Sequence, residues 1–117
     1  MASTFDLTVR LVEWDSPDFA ALASALGAEL GARYPGLGED ELSPAEDLAI
    51  AVVAYRGDTP IGCGALRELE PGVGEIKRLF VSSDARRLGV ARRMLQALEA
   101  QGRASGYSAL RLGSGIR

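Results

Sequence analysis

Apolar and polar residues alternate at the start of the chain. In "FDLTVRLVEW" (5–14), Leu7, Val9 and Leu11 fall on one side and Thr8 and Arg10 on the other, the period of a half-buried strand. The period then lengthens. Asp15 and Ser16 are candidate N-caps, Pro17 suits a first helical turn, and Phe19, Leu22, Ala23, Leu26 and Leu30 recur at helical spacing until Gly31 and "YPGLG" end the helix. Residues 36–47 read as a loop or a short second helix. "LAIAVVAYR" (48–56) is almost continuously apolar, as expected of a strand covered on both faces. Gly57-Asp58 marks a tight turn, and "TPIGCGALRELE" (59–70) returns as the other arm of a hairpin. Gly72 and Gly74 punctuate the next link. A fourth strand follows at 74–82, then a helix at 89–101 with Ala91, Met94, Leu95 and Leu98 on one face. Gly102 and Gly106 break that helix, and 107–113 forms a fifth strand.

The order β-α-(α)-β-β-β-α-β predicts an α/β chain with a mixed sheet. The strand–helix–strand unit at 74–113 should hold two neighbouring parallel strands joined by a right-handed crossover. At 117 residues the chain is expected to be a single domain, 1–117.

Composition narrows the chemistry. The chain has no histidine and one cysteine, Cys63, which excludes an internal disulfide, Ser-His-Asp or Cys-His catalysis, and ordinary zinc sites; no metal is expected. Cys63 reads as a small core residue rather than a nucleophile. No apolar run nears the roughly 20 residues of a membrane span, so no membrane partner is expected; the single cysteine and an N-terminus without a signal-peptide pattern suit a reducing cytoplasm. A net charge of -3 argues against nucleic acid. Gly57 and Gly62 have Walker A spacing, but Cys63 stands in the lysine position. "GCGALR" and "GVGEIK" lack the last glycine of a dinucleotide fingerprint.

Positive charge is concentrated in one place. Lys77, Arg78, Arg86, Arg87, Arg92 and Arg93 fall within 77–93 beside one acid, Asp84. Lys77 and Arg78 also break the alternation of the fourth strand. A β-bulge near 77–79 would restore the phase; an edge position or an amphipathic strand end would serve as well. Arg86 and Arg87 precede Gly89 at the start of a helix, where free N–H groups and the helix dipole favour an anion. Two readings fit: a solvated arginine face, or an anion site.

The run "GEIKRLFVSSDARRLGVARRMLQALEAQGRASGYSALRL" resembles the GNAT superfamily of acyl-CoA N-acyltransferases. Its signature, Arg/Gln-x-x-Gly-x-Gly/Ala, is met by Arg86, Gly89 and Ala91 in "RRLGVA", and the upstream hairpin "AVVAYRGDTPIGCGAL" is similar to that family too. The resemblance covers essentially the whole chain. It implies a mostly antiparallel sheet and acetyl-CoA as co-substrate. Backbone N–H groups from Arg86, Arg87, Leu88, Gly89, Val90 and Ala91 would cradle the diphosphate, with the Arg86 and Arg87 side chains adding charge. The backbone of Leu79, Phe80 and Val81 would pair with the pantetheine arm, and a bulge N–H would meet the thioester carbonyl.

The acceptor so implied is a primary amine of a small molecule or protein, whose deprotonation at pH 7 costs roughly 4.6 kcal/mol. Glu75 is the candidate general base; its alternative role is pairing with Arg67 or Arg78 across the sheet. The acids Glu39, Asp40, Glu41, Glu46 and Asp47 would flank the acceptor cleft, attracting a cationic amine or forming a solvated face. Tyr34 would line the pocket or cap the first helix. Family members usually continue through another helix and two strands, which often bring a tyrosine general acid. This chain ends at "RLGSGIR", and Tyr55 and Tyr107 are in the wrong places for that role. A domain incomplete at its C-terminus is therefore expected, with apolar sheet surface that a homodimer would cover. A non-catalytic acyl-CoA-binding or oligomerisation module is the alternative to an enzyme.

Overall fold

A computed structural model of the chain describes residues 6–33 and 48–112. Five strands form one sheet in the order of the sequence: β1 (Leu7–Val12), β2 (Leu48–Arg56), β3 (Thr59–Glu70), β4 (Val73–Val81) and β5 (Ala109–Leu112). The first four pair antiparallel, and β4 and β5 pair parallel through a crossover containing α2 (Val90–Ala104). Helix α1 (Pro17–Arg33) connects β1 towards β2. The mixed, mostly antiparallel α/β sheet expected from the sequence is present. The second helix allowed for within 36–47, and Tyr34, lie outside the described residues.

Each helix covers one face. On the α2 side, Val52, Ala54, Ile61, Leu66 and Ile76 pack with Val90, Met94 and Leu98. On the α1 side, Phe19 and Leu22 pack on Leu48, Ala51, Val53, Cys63 and Ala65. Strand β2 contributes to both clusters, which is why its sequence is apolar without alternation. Helix α1 starts as a capped helix: the Ser16 Oγ accepts from the Phe19 N–H at 3.3 Å, and the Ser16 carbonyl accepts from Ala20 at 2.8 Å. The Tyr55 hydroxyl donates to Asp18 Oδ2 at 2.6 Å and ties this first turn to β2; that bond, with burial second, raises the phenol above its usual range.

Two glycines expected to end helices lie inside them. α1 runs through Gly31 to Arg33, and α2 continues past Gly102 to Ala104. Gly102 is buried, and a Cβ there would lie 3.2 Å from Leu66 Cδ1 and 3.4 Å from the Tyr107 ring, so its role is close packing rather than helix breaking. Gly74 sits within β4, as the expected range 74–82 has it. Strands β1 and β5 are shorter than the sequence pattern suggests, because Trp14, Tyr107 and Ser108 belong to connections.

The "GCG" triplet of β3 faces both cores in turn. Gly62 and Gly64 face α2, and Cys63 points to α1. A Cβ on Gly62 would come 3.0 Å from both Met94 Cε and the Phe80 carbonyl oxygen. The side chain can give way but the carbonyl cannot. Gly62→Ala is therefore expected to destabilise the fold by about 1–3 kcal/mol in urea unfolding; an unchanged midpoint would show that α2 can lift without cost. Burial pushes the Cys63 thiol up to about 12, with Arg78 lowering it only in part. Below pH 9.0 the thiol is protonated in both states; between 9.0 and about 12 it ionises only in the unfolded chain, so stability falls as pH rises through that window. Cys63→Ala should lack this decline. In the parent, a thiol reagent at pH 8 should label Cys63 only as fast as the chain unfolds.

Candidate active site

The segment after β4 is fastened at its start and open at its end. The Ser82 N–H donates to the Ile61 carbonyl at 2.8 Å, and a 3₁₀ turn, Ser83–Ala85, buries Ala85 completely in the α2-side core. Arg87 and Gly89 then adopt left-handed backbone, at φ 70° and 79°. Gly89 is the N-cap of α2, and the first helical bond runs from the Arg93 N–H to its carbonyl at 3.1 Å. The N–H groups of Val90, Ala91 and Arg92 therefore precede the helical ladder. No side chain caps this end, and the first turn holds no acid. A Cβ on Gly89 would meet no atom within 4 Å, so the space before the helix mouth is open. A left-handed residue leading into a helix turns successive N–H groups towards one point, which makes an anion-binding concavity.

Arg87, Arg92 and Arg93 are exposed around this mouth, and Leu88 is an exposed apolar residue at its rim. The Val90 side chain is buried in the core, which leaves only its backbone to the mouth. Arg86 is differently engaged. Its Nε donates to the Val81 carbonyl at 2.8 Å, its Nη2 donates to both carboxylate oxygens of Glu29 at 2.9 Å, and its guanidinium lies 5.7 Å from the centre of the Phe80 ring. Glu29 was not among the residues the sequence singled out; it is 57 positions away on another helix, and no local pattern marks such a partner.

Strand β4 contains the expected bulge. Cys63 pairs with Phe80 and Ala65 with Lys77, so Arg78 and Leu79 together face Gly64 alone. Arg78 takes up the extra residue at φ 55°. Before the bulge Ile76 faces α2; after it Leu79 and Val81 do, and Phe80 faces α1. The Cys63 thiol donates to the Arg78 carbonyl at 3.3 Å. Burial holds the Arg78 guanidinium below its usual range. β5 pairs with β4 only from Val73 to Ile76, so among the described residues Lys77 to Val81 are paired on the β3 side alone. Backbone left with one unpaired side is the kind of edge to which an extended chain can add as a further strand.

Glu75 lies opposite Arg67, and the pairing anticipated between them is present: Arg67 Nε donates to Glu75 Oε1 at 2.8 Å, with Lys77 Nζ at 4.0 Å from the same oxygen. Its side chain is 17% exposed. Tyr55 is tied to Asp18, and Tyr107 packs against Gly74 and Gly102, so neither reaches the end of β4. The acidic run at 39–47 is outside the described residues. Among the described residues no three His, Cys, Asp or Glu side chains gather as metal ligands, and no helix is long and apolar enough to cross a membrane.

Residues 9–115 match the family model described as the acetyltransferase (GNAT) family. An "IAA acetyltransferase" of Azospirillum brasilense is 46% identical over 66 residues, covering 56% of this chain and 43% of that protein. A Klebsiella pneumoniae crystal structure, assigned as an acyl-CoA N-acyltransferase, superposes with a TM-score of 0.74 at 30% identity, covering 94% of this chain and 72% of that one. N-acetylglutamate synthase from Neisseria gonorrhoeae, solved with coenzyme A and N-acetyl-glutamate, superposes with a TM-score of 0.65 at 25% identity, covering 88% of this chain and 24% of that one. The chain spans about half the length of the curated relatives it matches. A fold shared along 94% of the chain and a family match that includes the helix mouth and the bulged strand lead to one conclusion: this chain belongs to the GNAT family of acetyltransferases.

Proposed function

We propose that the chain binds acetyl-CoA at the mouth of α2 and transfers its acetyl group to a primary amine. The observation that carries this reading is the helix mouth: N–H groups ahead of the first helical bond, open space before Gly89, and a first turn without an acid. Such an end holds a diphosphate through backbone donors, and Arg87 adds charge. The pantetheine arm would lie along Leu79 to Val81, in the gap beyond the last β5 pair. Leu79, Phe80 and Val81 all turn their side chains into the two cores, which leaves their backbone for this pairing.

In the reaction the amine nitrogen attacks the thioester carbonyl, the C–S bond breaks, and the thiolate leaves with CoA. An N–H released from the ladder by the bulge would stabilise the oxyanion, a role worth about 3 kcal/mol for a single donor. Glu75 would accept the amine proton. It stands three positions before the bulge, with Arg67 and Lys77 fixing one carboxylate oxygen. The acceptor class, a primary amine, is in line with the acyl-CoA N-acyltransferase assigned to the Klebsiella pneumoniae structure.

Calorimetric titration with acetyl-CoA tests the first half. The parent should bind, and Arg87→Glu should weaken binding about tenfold or more through loss of a charge-assisted contact. Arg92→Glu should weaken it too, yet raise ligand-free stability by about 0.3–1 kcal/mol, because an acid in the first turn suits the helix dipole. A parent that does not bind defeats the reading. Thiol release from acetyl-CoA over a panel of amines tests the second half. Glu75→Gln should lower turnover by about 10²–10⁴-fold with acetyl-CoA affinity unchanged. Binding without release by the parent would leave a CoA-binding module rather than an enzyme.

A further inference from the structure

We propose that Arg86 is a positioning residue: it locks the helix-mouth loop to α1 and to the end of β4, and leaves the phosphate charge to the loop N–H groups and Arg87. This rests on the acetyl-CoA reading for its functional consequence but not for the tie itself.

One guanidinium serves several protein groups at once. Nε is committed to the Val81 carbonyl at 2.8 Å and Nη2 to both oxygens of Glu29 at 2.9 Å, and the guanidinium carbon lies over the Phe80 ring, 5.7 Å from its centre. Three elements meet there: α1 through Glu29, β4 through Phe80 and Val81, and the loop that carries Arg86 itself. A planar fork can serve a carbonyl and a carboxylate together while stacking on a ring; an ammonium group cannot. Nε and Nη2 are thereby spent on protein oxygens, which leaves only Nη1 for a ligand. Its neighbour Arg87 is exposed beside the mouth and has no such ties to break among the contacts described.

The loop needs this lock at the place where Arg86 provides it. Upstream, Ser82 and Ala85 anchor it to β3 and to the core. Downstream, α2 packs through Val90 and Met94. Between these anchors, Arg86 to Gly89 are exposed. Holding Arg86 sets the backbone from which the left-handed Arg87 and Gly89 present their N–H groups. It also ties the C-terminal half of α1, where Glu29 stands, to the end of β4.

The test uses the 117-residue chain and two readouts, thermal unfolding without ligand and calorimetry with acetyl-CoA, on Arg86→Ala, Arg86→Lys, Glu29→Ala, Glu29→Gln and the double alanine variant. Glu29→Gln keeps the side-chain shape and guards against a variant that does not fold. The expected result is that each single change lowers the melting temperature and weakens acetyl-CoA by about three- to fivefold, with the double no worse than the poorer single. Arg86→Lys should behave like Arg86→Ala. Four outcomes overturn the proposal. Additive melting losses would show that the two residues do not act as a pair. Full affinity in Arg86→Lys would make Arg86 a point charge on the phosphates. Unchanged or tighter binding in the Glu29 variants, with weaker binding in Arg86→Ala, would mean the same. Coupled melting losses with affinity intact would reduce the tie to a structural one. A parent that binds no acetyl-CoA defeats the acetyl-CoA reading instead, and the unfolding cycle then decides the tie: coupled losses support it and additive losses overturn it.

Discussion

Strand β4 must serve two hydrophobic cores whose demands are out of phase along it. Ile76 has to face α2, and so do Leu79 and Val81, which an unbroken alternation places on the opposite face. The chain meets both demands by inserting one residue against Gly64, at the cost of left-handed backbone at Arg78, a strain of order 1–3 kcal/mol for a residue with a side chain. Two cores over-determine that conformation. Met94, Leu98 and Val90 hold the residues after the bulge from one side, and Phe80 is held among the α1-side residues from the other. The Cys63 thiol then supplies a donor to the Arg78 carbonyl.

The placement of the site follows from that shift. Glu75 and Lys77 lie on the face with Arg67, while the strand beyond the bulge turns its apolar side chains inward and leaves its backbone on the open border past Ile76. The same strand end delivers the chain into the loop that opens α2. Glycines at 62 and 64 let α2 sit close on β3, and this brings the helix mouth level with the end of β4. Strand end and helix mouth are thus fixed by one packing arrangement.

The electrostatics of that mouth run against the stability of the free protein. Helices gain from acids in the first turn and from a side-chain cap, and α2 has neither; it places Arg92 and Arg93 there instead. An anion relieves this. Arg86, one residue before Arg87, has its charge met inside the protein by Glu29, so adjacent arginines of the same motif have different surroundings.

Much of this was legible in the residues. The periods of 2 and 3.6 located β1, α1 and α2, turn residues marked the hairpin of β2 and β3, the uninterrupted apolar run of 48–56 marked the strand shared by two cores, and the broken alternation at Lys77 and Arg78 pointed to the bulge. Local pattern suffices there because side-chain direction in a strand or helix depends only on neighbouring positions. It failed at Gly31 and Gly102, where a glycine lies within a helix; at Gly102 the reason is side chains from elsewhere, Leu66, Leu110 and Tyr107, that leave little room for a Cβ. It also could not separate Arg86 from Arg87, since Glu29 is far along the chain. The sequence by itself determined the elements, their order and the gathering of charge before a helix. Only the tertiary structure decided which of those charges meet a protein partner, because an ion pair depends on which distant segments the two cores bring within 3 Å of each other.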